Sequence, residues 1–362
     1  MINLSGTIPR IPLVLLALTD LSELLVTTLI VPFLRCEWDL DTEFETAIGS
    51  ASYFSYAVGG LFFGRVSDIF GRKKVLLISS LAMMLAGGVA AVAPTKWVFL
   101  AARIVQGLAI GASYPASNVF IVETAHSGYK ELPIAVLCTA TRIGVLALAV
   151  LAWLTLNTIK WRWFMFAVSA FTIISFISLF FIPESPRYLL ARGKFEEAEK
   201  ALRWYFRMNR KTYPEGWKLA VRHLQPDSAK KECSRLFSGE YLKSTIILSV
   251  FYFTNIYVVF GINVYSTLVE DRGLCSPVQA AGERSCSVID DQGLIDLVIM
   301  YFLDFLSVPC SYFSAVYIGR KVGLRVPTAI MCLVSSDFQT FGRILYSTEA
   351  NLNALVVKIR WL

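Results

Sequence analysis

Gly64-Arg65-Val66-Ser67-Asp68-Ile69-Phe70-Gly71-Arg72-Lys73-Lys74 is a basic stretch caught between two long apolar runs. Lys and Arg are costly in hydrocarbon and collect in the cytoplasmic loops of membrane proteins, so four cations in eleven residues read as a tight turn just outside a bilayer. The runs on either side, Thr46 to Gly64 and Val75 to Ala93, are each close to the roughly 20 residues that a membrane-crossing helix requires. Further runs of that kind extend outward from this turn: Ile11 to Leu34, Trp97 to Val122, Pro133 to Leu156, Trp163 to Ile182, Ser244 to Leu268 and Leu294 to Ile318. A ninth begins at Val326 but is interrupted by Ser335, Ser336, Asp337, Gln339 and Arg343, and Asn353 to Leu362 reads as the first turns of a tenth. The first run is too long for a signal-peptide core and contains carboxylates, so it reads as a retained helix.

Composition agrees. Hydrophobic residues make up 56% of the 362, charged residues 17%, and the mean hydropathy is +0.58, values that argue against a soluble or disordered chain. The formal charge of +7 fits loops facing an anionic membrane surface better than nucleic-acid binding. Only two histidines occur, His126 and His223, and the seven cysteines form no CxxC pair, so neither a metal site nor any other cofactor is expected. No GxxxxGK[ST], HExxH or GxSxG motif is present, and the expectation is a protein that is not an enzyme.

Loop charge sets the expected orientation. The loop after the first run is acidic, through Glu37, Asp39, Asp41, Glu43 and Glu45, whereas the segment 183–243 holds 14 Lys or Arg against 8 Asp or Glu. Both that segment and the N-terminus are therefore expected in the cytoplasm. The division that follows is a six-helix bundle over residues 1–182, a cytoplasmic basic loop over 183–243 with an amphipathic helix from Phe195 to Phe206, and a partial second bundle over 244–362.

The turn quoted first resembles the GxxxDxxGRK signature of the major facilitator superfamily, with Gly64, Asp68, Gly71 and Arg72 at the signature positions. Further matches follow in order. Arg103, Gly107, Gly111 and Glu123 are similar to the fourth-helix RxxxG...E pattern, and Pro183-Glu184-Ser185-Pro186-Arg187 resembles the PESPR motif of sugar and organic-ion porters. Gly319-Arg320-Lys321 resembles the second-half repeat of the loop motif, departing from it at Val316, a position usually acidic. Asp20 and Glu23, the stretch Leu34-Arg35-Cys36-Glu37-Trp38, and Trp161-Arg162-Trp163 resemble the group of synaptic vesicle glycoprotein 2 and its related vesicle proteins. The resemblance implies an all-α polytopic fold, normally of twelve spans, so the chain reads as shortened after about nine. It also implies that Asp68, beside Arg72, latches the cytoplasmic end; for Glu123 and Glu184 two readings stay open, pairing with Arg187 or loop cations in a similar latch, and plain solvation in the loops.

The glycine pairs Gly60/Gly64 and Gly107/Gly111 each lie one helical turn apart and are expected to bare backbone for close helix contact. Charges inside the bilayer are costly and usually functional, which singles out Asp20, Glu23, Arg142, Asp296 and Asp304. At about 1.5 Å per residue, Asp20 and Glu23 stand roughly 14 and 18 Å into the first helix, near the middle of a core about 30 Å thick. Arg142, Asp304 and Asn255 are expected at similar depth, and Tyr114 and Tyr257 are among the aromatics expected to offer faces to a cation, whereas Arg103 is expected to be shallower, at an outer gate. Two readings of the charges stay open: a structural ion pair with a protonated acid, and a site for an organic cation or proton. The expected activity is alternating-access transport of a small organic solute, with the bilayer, that solute and protons as partners. The alternatives are a regulatory vesicle membrane protein acting through other proteins and a non-functional shortened product. The expected location is the plasma membrane or an intracellular vesicle membrane. Cys275 and Cys286 share the loop after the seventh run, on the non-cytoplasmic side, and are the disulfide candidates.

Overall fold

The computed structural model describes residues 11–124, 131–156, 160–210 and 212–213, together with scattered helical positions within 239–250 and 295–309. The chain falls into two compact units, Met1–Ser228 with Val269–Pro309, and Ala229–Leu268 with Cys310–Leu362. In the second, the described positions are helical.

Among the described residues, eight helices with assigned bounds lie in the first unit: α1 Ile11–Trp38, α2 Thr42–Phe70, α3 Arg72–Ala91, α4 Lys96–Glu123, α5 Glu131–Thr155, α6 Trp161–Leu179, α7 Pro186–Ala191 and α8 Phe195–Met208. Helix is the outcome because a backbone in hydrocarbon must satisfy its own hydrogen bonds. The ends are set locally. Thr95 Oγ1 accepts from the Val98 amide at the start of α4, and Ser185 caps α7 ahead of Pro186. Helix α2 runs beyond the expected 46–64 at both ends, since Glu43 and Glu45 suit its first turn and nothing breaks it before Gly71.

Five described helices are long and apolar enough to cross a membrane: α1, α3, α4, α5 and α6. The sequence led us to expect α2 among them. Its serines, Ser50, Ser52, Ser55 and Ser67, and its glycines dilute its apolar character, and it lies against α4. Helix α1 packs on α5, α6 and α4, while α3 packs on α4 and α6. Helix α8 buries Ala198, Ala201, Leu202, Tyr205 and Phe206, and Ala198 and Ala201 cluster with Leu189 of α7. Phe195, the first residue of α8, is 40% exposed.

The α2–α4 contact corrects the expected glycine pattern. A Cβ at Gly107 would fall 2.5 Å from the Ser52 carbonyl oxygen, and one at Gly111 only 2.1 Å from that of Tyr56. The facing glycine on α2 is Gly59, whose Cβ would meet the Leu108 carbonyl at 2.4 Å; Gly60 has ordinary room and Gly64 has nothing within 4 Å. The phase of α2 turns Gly59 toward α4. Gly144 on α5 is tighter still, with the Leu18 carbonyl oxygen of α1 at 1.8 Å from a Cβ.

Candidate functional site

Two buried acids face the interior of the bundle from α1, and they have different partners. Both oxygens of Glu23 are occupied, Oε2 by Gln106 Nε2 at 2.7 Å and Oε1 by the Thr172 hydroxyl at 3.0 Å. Arg103 closes this network: its Nη1 donates to the Glu23 carbonyl at 3.2 Å and to Gln106 Oε1 at 2.7 Å, and its guanidinium lies 5.1 Å from the centre of the Phe99 ring. Arg103 is 1% exposed. It begins only two turns into α4, but its side chain is drawn inward because a charge in apolar surroundings must be paired.

Asp20, one turn before Glu23, is also 1% exposed. The Ser113 hydroxyl donates to its Oδ2 at 2.9 Å, while Oδ1 is buried with no hydrogen-bond partner. Tyr114 is within electrostatic reach of Asp20, Arg142 and Cys138, and Tyr56 of Asp20 and Tyr114. Arg142 of α5 pairs through Nη1 with Asp304 Oδ2, both side chains part-exposed. Asp20, Tyr114, Arg142 and Asp304 are thereby linked in one group, with Tyr56 added, a residue that the sequence reading missed because tyrosines are common in such helices.

At the basic end, the α2–α3 turn is held from two sides. Gly71 adopts φ +108°, which favours glycine, and a Cβ there would sit 2.5 Å from Glu184 Oε2. The Glu184 carboxylate instead accepts from the Lys73 amide at 3.1 and 3.2 Å, capping α3. Arg72 pairs with Glu123 at 2.8 Å, and Ser185 donates to the same carboxylate. Asp68 is a weaker member than expected. Its side chain is 70% exposed and lies 3.3 Å from Arg72, because an i,i+4 pair at a helix end points to water. Arg187, expected to pair with a carboxylate, is exposed and within electrostatic reach of Glu123. Tyr188 and Arg192 complete the clasp, donating to the Ile69 carbonyl at 2.9 and 2.7 Å.

The opposite end carries a clasp whose residues the sequence had singled out without a role. Glu37 of α1 accepts from Trp161 Nε1 at 2.6 Å and Arg162 Nη2 at 2.5 Å, and Arg162 also donates to the Ala93 carbonyl at 2.9 Å. Trp38 packs edge-on against Phe99 and Trp161.

Residues 26–350 match the family described as sugar (and other) transporter. The chain belongs to that family, within the major facilitator superfamily. Among curated relatives, the synaptic vesicle 2-related protein of Bos taurus is 25% identical over 328 residues, covering 89% of this chain and 58% of that protein. The organic cation/carnitine transporter 7 of Arabidopsis thaliana is 23% identical over 345 residues, covering 86% and 68%. The partially occluded inward-open structure of the xylose transporter XylE from E. coli superposes with a TM-score of 0.63 at 19% identity, covering 86% of this chain and 73% of that one. That likeness is one of fold. The chain spans between 41 and 61% of the length of the first three curated relatives it matches.

Asn255, Tyr257, Asp296, Gly319, Arg320, Cys275 and Cys286 lie outside the described residues. Among the described residues no group of three or more His, Cys, Asp or Glu side chains is arranged to hold a metal ion.

Proposed function

We propose that this family member moves a small organic cation across the membrane by alternating access, in exchange for a proton carried on Asp20. The observation that carries this reading is the buried Asp20 carboxyl with one oxygen unpartnered. An ionised carboxylate sealed from water without a counter-charge costs several kcal/mol, so a proton or a substrate cation is the natural occupant of that oxygen. The Ser113 hydroxyl supports the exchange. It lies 2.9 Å from Asp20 and 3.1 Å from the Ile110 carbonyl, and its single proton serves one at a time. With Asp20 ionised, Ser113 donates to it; with Asp20 protonated, Asp20 donates to Ser113 and Ser113 turns to Ile110.

Tyr56 and Tyr114 offer aromatic faces for a cation, and Glu23, with both oxygens bonded, holds the bundle together beside the site. The basic α2–α3 turn and its Glu123, Glu184 and Arg72 partners form the cytoplasmic latch in this reading, with the N-terminus on the same side.

The test is uptake of radiolabelled tetraethylammonium into proteoliposomes holding the chain, driven by a proton gradient. Asp20→Asn keeps the shape and removes the charge, so uptake and its pH dependence are expected to fall together. Retained pH-dependent uptake in the Asp20→Asn/Asp304→Asn variant refutes the reading and assigns these acids a structural role.

A further inference from the structure

The Arg142–Asp304 pair joins two stretches 162 residues apart in the chain, α5 and the helical positions around 304. Its side chains are 28% and 23% exposed, so the pair is neither sealed like Arg103 nor on the open surface. A part-exposed ion pair can be opened by a competing charge, whereas a sealed one cannot without leaving a buried charge unpaired. Arg142 also lies near Tyr114, itself within reach of Asp20, so the guanidinium already stands among the groups that recognise a cation.

We propose that Arg142 is the resident counter-ion of the substrate site: in the empty protein its guanidinium occupies Asp304, and a cationic substrate binds by displacing it. This rests on the cation-transport reading above and adds the event that couples binding to helix movement. The empty protein ties α5 to the 304 region. The substrate takes over the carboxylate, and Arg142 is released toward Tyr114 and Asp20, freeing the two stretches to part. A ligand shifts such an equilibrium only through a difference in affinity for the two arrangements, and competition for one carboxylate supplies it. Bulky quaternary ammonium groups suit this exchange. Their charge can sit against Asp304 while their alkyl groups face tyrosine rings.

Equilibrium binding of radiolabelled tetraethylammonium and of benzoate to the purified chain in nanodiscs tests this. Arg142→Gln removes the competitor and is expected to bind tetraethylammonium about tenfold tighter than wild type, the factor that applies when nine-tenths of the empty molecules hold the pair closed. Asp304→Asn is expected to lose tetraethylammonium binding and, with Arg142 released from that carboxylate, to gain affinity for benzoate. Wild-type affinity in Arg142→Gln, with binding weakened in Asp304→Asn, overturns the displacement but leaves the cation site standing. If neither wild type nor Arg142→Gln binds tetraethylammonium, the displacement and the transport reading fall together. Should Arg142→Gln not fold, the Asp304→Asn protein decides: a gain of benzoate supports the exchange and no gain overturns it.

Discussion

Gly144→Ala adds one methyl group to α5 and places it 1.8 Å from the Leu18 carbonyl oxygen, with the Leu18 carbonyl carbon at 2.6 Å and Cα at 2.9 Å. All three atoms are backbone, so no side chain can swing away. An ordinary carbon–oxygen contact is about 3.3 Å, and α1 and α5 must therefore part by about 1.5 Å near that point. Forcing a methyl group into close packing costs about 1–3 kcal/mol, or up to roughly a hundredfold in the folding equilibrium. Asp20 lies two residues after Leu18 and Arg142 two before Gly144, so the same displacement alters the spacing of the candidate site. A shift of about 1 Å in positioned groups costs on the order of 100-fold in function. The assay is tryptophan-detected unfolding of purified protein in rising mole fractions of SDS, alongside tetraethylammonium binding. Gly88→Ala is the control, because nothing lies within 4 Å of a Cβ there and alanine is the better helix former by about 0.5–1 kcal/mol. If Gly144→Ala unfolds no earlier than wild type while Gly88→Ala behaves as stated, the close α1–α5 approach is wrong.

Two further outcomes follow from the clasps at either end. Arg72→Ala breaks the 2.8 Å pair with Glu123 and is expected to raise maleimide labelling of a cysteine introduced at the buried Ile182 severalfold, whereas Asp68→Ala, acting at a 70% exposed side chain, changes stability by less than about 0.5 kcal/mol and labelling little; equal labelling in both variants contradicts the ranking. Arg162→Ala removes its bonds to Glu37 and the Ala93 carbonyl and is expected to cost about 1–2 kcal/mol, with Glu37→Gln non-additive to it by more than about 0.5 kcal/mol in a double-mutant cycle of SDS unfolding; additive costs show that the two do not act as one clasp.

What the sequence settled unaided is whatever depends on length, polarity and local chemistry. The membrane-crossing character of α1, α3, α4, α5 and α6 was legible because some 20 predominantly apolar residues between charged loops have few other homes. The turn at Gly71 was legible because a helix cannot easily continue through a glycine followed by three cations, and the PESPR segment because its spacing is distinctive. Even α8 could be placed to within two residues of its end from its alternating faces. Tertiary structure alone decided which partner each of these residues meets. Asp20 and Glu23 share a face and look equivalent in sequence, yet only the neighbours on α4 and α6 leave Glu23 fully bonded and Asp20 with a bare oxygen. The depth of Arg103 along α4 can be read from the sequence, whereas its bonds to Gln106 and the Glu23 carbonyl come from the direction of its side chain. Gly59 rather than Gly64 meets α4, and Glu123 rather than Asp68 holds Arg72, because helix phase turns a three- or four-residue spacing toward a neighbour or toward open space. Spacing along the chain fixes which residues share a face; only packing decides what that face touches.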